Sequence, residues 1–200
     1  MGKEKLPEPG GELDRVLSRF LRRFSFVARG NMERFANSLA RHLKVREMPR
    51  DPLTVLPALG LDVARALLPP AERAQTKAEK EGYSILYSAH IQRPAARFAV
   101  WREFFKIIRA HHAFPSRLSD EVAEELADRF ATCMLMPRAE ILREAEKFRT
   151  NPEQIVAVLA DRFGVSQTAM RRRLYELAIL RPRSRAVHIQ TTHDAAPREA

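Results

Sequence analysis

The chain has 200 residues, 45% of them hydrophobic, with 35 Lys and Arg against 25 Asp and Glu for a formal charge of +10. This size predicts one domain, or one domain with a small appended module. A lone cysteine, Cys133, excludes an intramolecular disulfide and a thiolate metal cluster, and no apolar run is long enough for a transmembrane helix.

The N-terminus, MGKEKLPEPGG, lacks the apolar core of a signal peptide, so a cytoplasmic location is expected. Residues 1–11 read as a disordered tail. From Glu12 to about Ala28, residues Leu13, Val16, Leu17, Phe20, Leu21 and Phe24 recur at helical spacing. With Phe26 and Arg19, Arg22, Arg23 and Arg29, this segment forms a basic amphipathic surface. Docking onto the core is its expected role, with a partner or membrane surface as the alternative. Gly30 is expected to end that helix. Asn31 is expected to cap a second helix, with Met32, Phe35, Ala36, Leu39 and Leu43 on its apolar face.

Pro49 and Pro52 bracket a turn before a short helix over 53–59 closed by Gly60, and Leu61-Asp62-Val63 reads as a short strand. The polar run 69–81 is expected to be a loop. Residues 83–88, rich in aromatic and branched side chains, carry the best strand pattern. Helices are predicted over 95–112, over 118–135 (stopped by Pro137) and over 138–148. Pro152 suits the first turn of a helix over 152–162. Phe163-Gly164-Val165 turns the chain, and Ser166 caps a last helix over 166–179. Residues 181–200 read as a flexible tail. The fold class is α+β, mostly helical with a small β-sheet.

The helix over 95–112 carries Arg97-Phe98 and then Arg102-Glu103-x-x-Lys106. A zinc-peptidase helix has H-E-x-x-H at this spacing, with two His one turn apart and a Glu as general base. Residues 52–63 precede it, Ile85-Leu86-Tyr87 leads into it, and Glu124-Glu125-Leu126-Ala127 through Leu135-Met136-Pro137 follows it. In that order, and with Leu159 through Leu174 behind them, these segments resemble the ImmA/IrrE-type metallopeptidases over roughly residues 30–180. The resemblance implies a zincin-like core, with its cleft between the 95–112 and 118–135 helices. It also implies a division into N-terminal helices plus core (12–150) and a helix-turn-helix-like element (151–180).

Members with intact ligands hold zinc with two His and an acid from the second helix. Carried over, Glu103 takes the position of the general base and Arg102 and Lys106 those of the two His. Glu124 or Glu125 takes that of the third ligand. Arginine stays protonated and has no lone pair to donate, and lysine ligates only as a neutral amine. No metal or other cofactor is therefore expected, and Glu103 is read as vestigial. A salt-bridge cluster of Arg102 and Lys106 with Glu124 or Glu125 is expected in the metal's place. Trp101, Phe104 and Phe105 are expected to plug the cleft, a peptide groove being the alternative.

His111 lies roughly 12 Å along the helix from Glu103, too far for the same metal. His111 and His112 are expected as exposed helix-end residues that complement the dipole, with a separate metal site as the alternative. Cys133 is expected to be a buried structural thiol.

Residues 162–185 hold seven arginines and one acid, Glu176, a clustering that suits a polyanion. In a DNA-binding helix pair, Gln167, Thr168, Arg171 and Arg172 would reach base edges, and Arg173 and Arg181 would meet phosphates. At most two of Arg171, Arg172 and Arg173 can face one ligand. The leading expectation is a catalytically inactive homologue acting as a regulatory or protein-binding factor. Family precedent implies a helix-turn-helix repressor partner and a role in transcriptional control or the stress response. The alternatives are a DNA-binding protein and an active metallo-endopeptidase with an atypical metal site.

Overall fold

The structure, a computed structural model, describes residues 12–45, 47–79, 82–148 and 152–180. The expected tails at 1–11 and 181–200, with Arg181, lie outside the described residues. In chain order the helices are α1 (Glu12–Leu21), α2 (Met32–His42) and α3 (Pro52–Val55). Three strands follow: β1 (Asp62–Ala66), β2 (Ala74–Glu79) and β3 (Gly82–Ser88). Then come α4 (Arg93–Ala110), α5 (Asp120–Leu135), α6 (Arg138–Ala145), α7 (Pro152–Phe163) and α8 (Gln167–Glu176). The mostly helical α+β class is as expected.

The core is built on α4 and α5, with α2 laid across α5. Trp101, Phe104 and Phe105 of α4, Phe130 of α5 and Phe35 of α2 are all fully buried. The Phe130 ring lies 5.3 Å from Phe105, 6.1 Å from Trp101 and 6.2 Å from Phe35. Each such ring stabilises the fold by roughly 1.5–3 kcal/mol through burial alone. The three aromatics of α4 thus pack as core, and Trp101 also donates its indole N–H to the Arg50 carbonyl at 3.2 Å. Ile155, Leu159, Phe163, Met170 and Leu174 of α7 and α8 belong to the same apolar cluster. The helix pair therefore shares the core instead of standing apart from it. Among the described residues no helix is long and apolar enough to cross a membrane.

The sheet has the order β1-β3-β2, with β1 parallel and β2 antiparallel to β3. β2 corrects the expectation of a loop over 69–81. Its sequence, AQTKAE, has little strand propensity, and pairing with β3 from Ala74↔Tyr87 to Glu79↔Gly82 supplies the order. The strand lies on the edge of the sheet, and its second half is exposed, which permits its polar composition.

α1 is shorter than its apolar spacing suggests, ending at Leu21. Phe24 turns back to sit 5.1 Å from Phe20 and 5.0 Å from Phe35. Gly30 falls in a 3-10 turn over Arg29–Asn31 and does not end the helix. Asn31 binds backward to the Ala28 amide and the Phe26 carbonyl, and does not cap α2. Ser119 and Ser166 do cap α5 and α8, accepting from the Val122 and Ala169 amides.

Candidate functional site

α4 presents Arg102, Glu103 and Lys106 towards α5, where Glu124 and Asp128 stand one turn apart. Arg102 Nη2 lies 2.5 Å from Glu124 Oε2. Its Nε lies 2.5 Å from Asp128 Oδ1, as an ion pair without hydrogen-bond alignment. Lys106 Nζ is 2.8 Å from Glu103 Oε1 and 3.4 Å from Glu124 Oε1. Glu124 thus bridges both cations and is the member of the Glu124/Glu125 pair that faces them. Glu125 turns outward and meets Arg29 at 2.9 Å.

Glu103 is the buried anchor of the cluster. Its side chain is 6% exposed, against 40% for Lys106 and 51% for Glu124. Its second oxygen accepts from Thr76 Oγ1 of β2 at 2.9 Å, so both carboxylate oxygens are engaged. Thr76 and Asp128 were not expected in the site. Thr76 fell in the segment read as a loop, whereas Asp128 follows Glu124 at i+4, a spacing that places both on one helix face.

Burial pushes the Lys106 ammonium down, but the Glu103 and Glu124 carboxylates outweigh it and hold it above the ordinary lysine value. Lys106 is therefore a fixed cation with no lone pair. Arg102 likewise offers only donors. Of the donor set, two cations stand where neutral nitrogens are required, so these residues do not fit zinc. The pairs on Glu124 and Asp128 are solvated, and each contributes about 0–1 kcal/mol.

A second ionic network, unseen in the sequence, lies under α8. Arg173 has a side chain 0% exposed; it donates to Glu33 Oε2 at 2.6 Å, to Glu176 Oε2 at 3.0 Å and to the Met136 carbonyl at 3.1 Å. Glu33 also accepts the Arg138 amide at 2.6 Å and the Cys133 thiol at 3.1 Å. Arg129 pairs with Glu176. The Met136-Pro137-Arg138 turn is thus held from both sides by the Glu33–Arg173 pair. Arg173 is withdrawn as a phosphate contact: it is an internal strut. Burial, with Glu33 alongside, pushes the Cys133 thiol up to about 12, which makes it a structural group.

Gln167, Thr168, Arg171 and Arg172 are exposed on α8. Thr168 and Arg172 also line a groove of about 770 Å³ with Phe98 of α4 and Asp128, Thr132 and Leu135 of α5. Arg97 ties α4 to the turn before α8, donating to the Phe163 and Gly164 carbonyls at 3.2 and 2.6 Å.

His111 corrects the expectation of an exposed helix end. Its side chain is 6% exposed and Nε2 lies 2.9 Å from Asp14 Oδ1, while Nδ1 accepts the Ala113 amide at 3.1 Å. Burial and the neighbouring His112 hold its imidazole below the ordinary value. With Nδ1 accepting, the ring proton sits on Nε2 and points at Asp14, which leaves His111 no lone pair for a metal shared with Asp14 and His112. His112 is exposed, as expected.

Residues 58–175 match the family described as the IrrE N-terminal-like domain, peptidase M78. The chain belongs to this family. The solved structure of a "Mycobacterium tuberculosis transcriptional regulator" is similar at 20% identity with a TM-score of 0.54, over 90% of this chain and 54% of that one. The chain therefore spans about half the length of that protein, and the likeness supports the IrrE-like fold. No curated protein matches. Within the IrrE-like domain, α4 and α5 are the helices that bring Arg102, Glu103, Lys106 and Glu124 together.

Proposed function

We propose that this chain is a catalytically inactive IrrE-like protein that regulates by binding a protein partner, a helix-turn-helix repressor, and not by cutting it. The observation that carries this reading is the Glu124 bridge: one carboxylate contacts both Arg102 and Lys106 where the tetrad's two nitrogen ligands would stand. The groove between α4, α5 and α8, with Phe98, Leu135 and Met136 and both signs of charge in its lining, suits a peptide or helix of a partner. Family membership, and a similar structure that belongs to a transcriptional regulator, support a role in transcriptional control. The stress response is the expected setting.

Metal analysis tests the reading. The purified protein is expected to hold no stoichiometric zinc. Arg102→His/Lys106→His is expected to bind zinc at least about 100-fold more tightly, because it restores two neutral nitrogens beside Glu124. Stoichiometric zinc in the natural chain, with peptide cleavage lost in Glu103→Gln, would overturn it. Failure of the natural chain to co-purify with any repressor encoded beside it would count against the partner.

The exposed face formed by Gln167, Thr168, Arg171 and Arg172 favours a second reading, DNA binding. On that reading, Arg171→Ala and Arg172→Ala each lower the slope of log affinity against log salt by about one. Salt-insensitive binding, or none at low ionic strength, would sink it.

A further inference from the structure

α1 and α2 meet over a pocket of about 440 Å³ that has no acidic residue in its lining. The turn after α1 contributes Arg23 and Phe24, and one face of α2 contributes Arg34, Ser38, Arg41 and His42. The spacing of these four, at i, i+4, i+7 and i+8, follows from helical geometry and sets their side chains in a row. Phe20 closes the bottom.

Arg23 and Arg34 have no partner among the described residues, and Arg41 donates only to Ser38 Oγ at 3.2 Å. Other described arginines do find acidic partners, among them Arg29 with Glu125, Arg93 with Asp51, Arg102 with Glu124 and Arg173 with Glu33. Three guanidinium groups around one concavity repel one another until an anion enters. Guanidinium forks match phosphate oxygens in geometry and charge. Ser38, whose oxygen accepts from Arg41, still has its hydroxyl proton to donate. Phe24 is half-buried and lines the pocket beside these cations.

We propose that this pocket binds a phosphorylated small molecule with a flat ring, of the nucleotide class. Arg23, Arg34 and Arg41 take the phosphates, and Phe24 takes the ring. The volume lies within the roughly 300–1,000 Å³ of small-ligand pockets. The site shares no residue with the Arg102–Glu124–Lys106 cluster. It therefore stands whether or not the chain is inactive as a peptidase.

The test uses the full chain with ATP, GTP, inorganic pyrophosphate and single-stranded oligonucleotides of increasing length as probes, titrated by calorimetry. A nucleoside triphosphate is expected to saturate one site per chain. Arg34→Ala and Arg41→Ala, both at exposed positions, are each expected to weaken it about 10-fold or more. Pyrophosphate is expected to bind about 10-fold more weakly than the nucleotide, and Phe24→Leu to remove that difference. Thermal unfolding of each variant reports on its folding, and Arg34→Lys, keeping the charge but not the fork, is expected to fall between Arg34→Ala and the natural chain. Absence of saturable binding below about 1 mM, indifference to Arg34→Ala and Arg41→Ala, or equal affinity for pyrophosphate would overturn the proposal. So would affinity that rises with oligonucleotide length, which would mark the pocket as part of a nucleic-acid surface.

Discussion

Gly164→Ala is expected to lower the unfolding free energy by about 4 kcal/mol, a large part of the stability of an ordinary domain. Two causes act together. Gly164 has φ +60, a left-handed conformation that disfavours any β-carbon by roughly 1–2 kcal/mol. The added carbon would also lie 2.0 Å from Arg97 Nη1, so the guanidinium has to leave its place. That guanidinium is buried and donates to the carbonyls of Phe163 and Gly164. Each hydrogen bond to a charged group contributes roughly 1.5–3 kcal/mol, and a buried charge left without partners adds its desolvation. In urea, with m about 2 kcal/mol/M, the midpoint is expected to fall by about 2 M. The double-mutant cycle is the sharper measurement. In an Arg97→Ala background, Gly164→Ala is expected to cost only the backbone part, about 1–2 kcal/mol. Additive effects of the two substitutions would show that the close approach of Arg97 is not the cause.

Arg173→Leu is expected to destabilise by about 3–5 kcal/mol, while Arg171→Ala and Arg172→Ala stay within about 0.5 kcal/mol. The three residues are consecutive, yet only Arg173 is internal. Its removal leaves the Met136 carbonyl without its donor and Glu33 without its guanidinium. Adding Glu33→Gln is expected to recover part of the loss, since the uncompensated carboxylate goes with it. Burial pushes the Glu33 carboxyl up, but the Arg138 amide and Arg173 pull it further down, so its folded value lies below the ordinary 4.5. A depressed carboxylate adds stability that is fully present above its unfolded value and is lost as pH falls through the folded one. Stability of the natural chain is therefore expected to drop below pH about 4.5, with a shallower slope for Glu33→Gln. Equal acid sensitivity in both, measured by urea unfolding across that range, would remove Glu33 from the account.

These two expectations also mark where the sequence is legible. α4, α5 and β3 follow from apolar spacing, because each has one face committed to the core. The cation-for-imidazole exchange at Arg102 and Lys106 is visible because helical spacing fixes which residues can share a face. β2 leaves no pattern in the sequence because an edge strand needs no apolar alternation, and its pairing comes from β3. The Glu33–Arg173 pair joins positions 140 residues apart, and no local pattern distinguishes Arg173 from its two exposed neighbours. α1 looked longer than it is because Phe24 keeps helical spacing while packing from a turn. In each failure the deciding contact is tertiary.

Glu124 answering to both Arg102 and Lys106 has a consequence for substitutions at either position. A single change of either cation to histidine sets an imidazole beside a carboxylate still committed to the other cation. That intermediate has lost two ion pairs, since Arg102 also holds Asp128 and Lys106 also holds Glu103. One side chain thus couples two positions, so the effects of substituting Arg102 and Lys106 are expected to depend on each other.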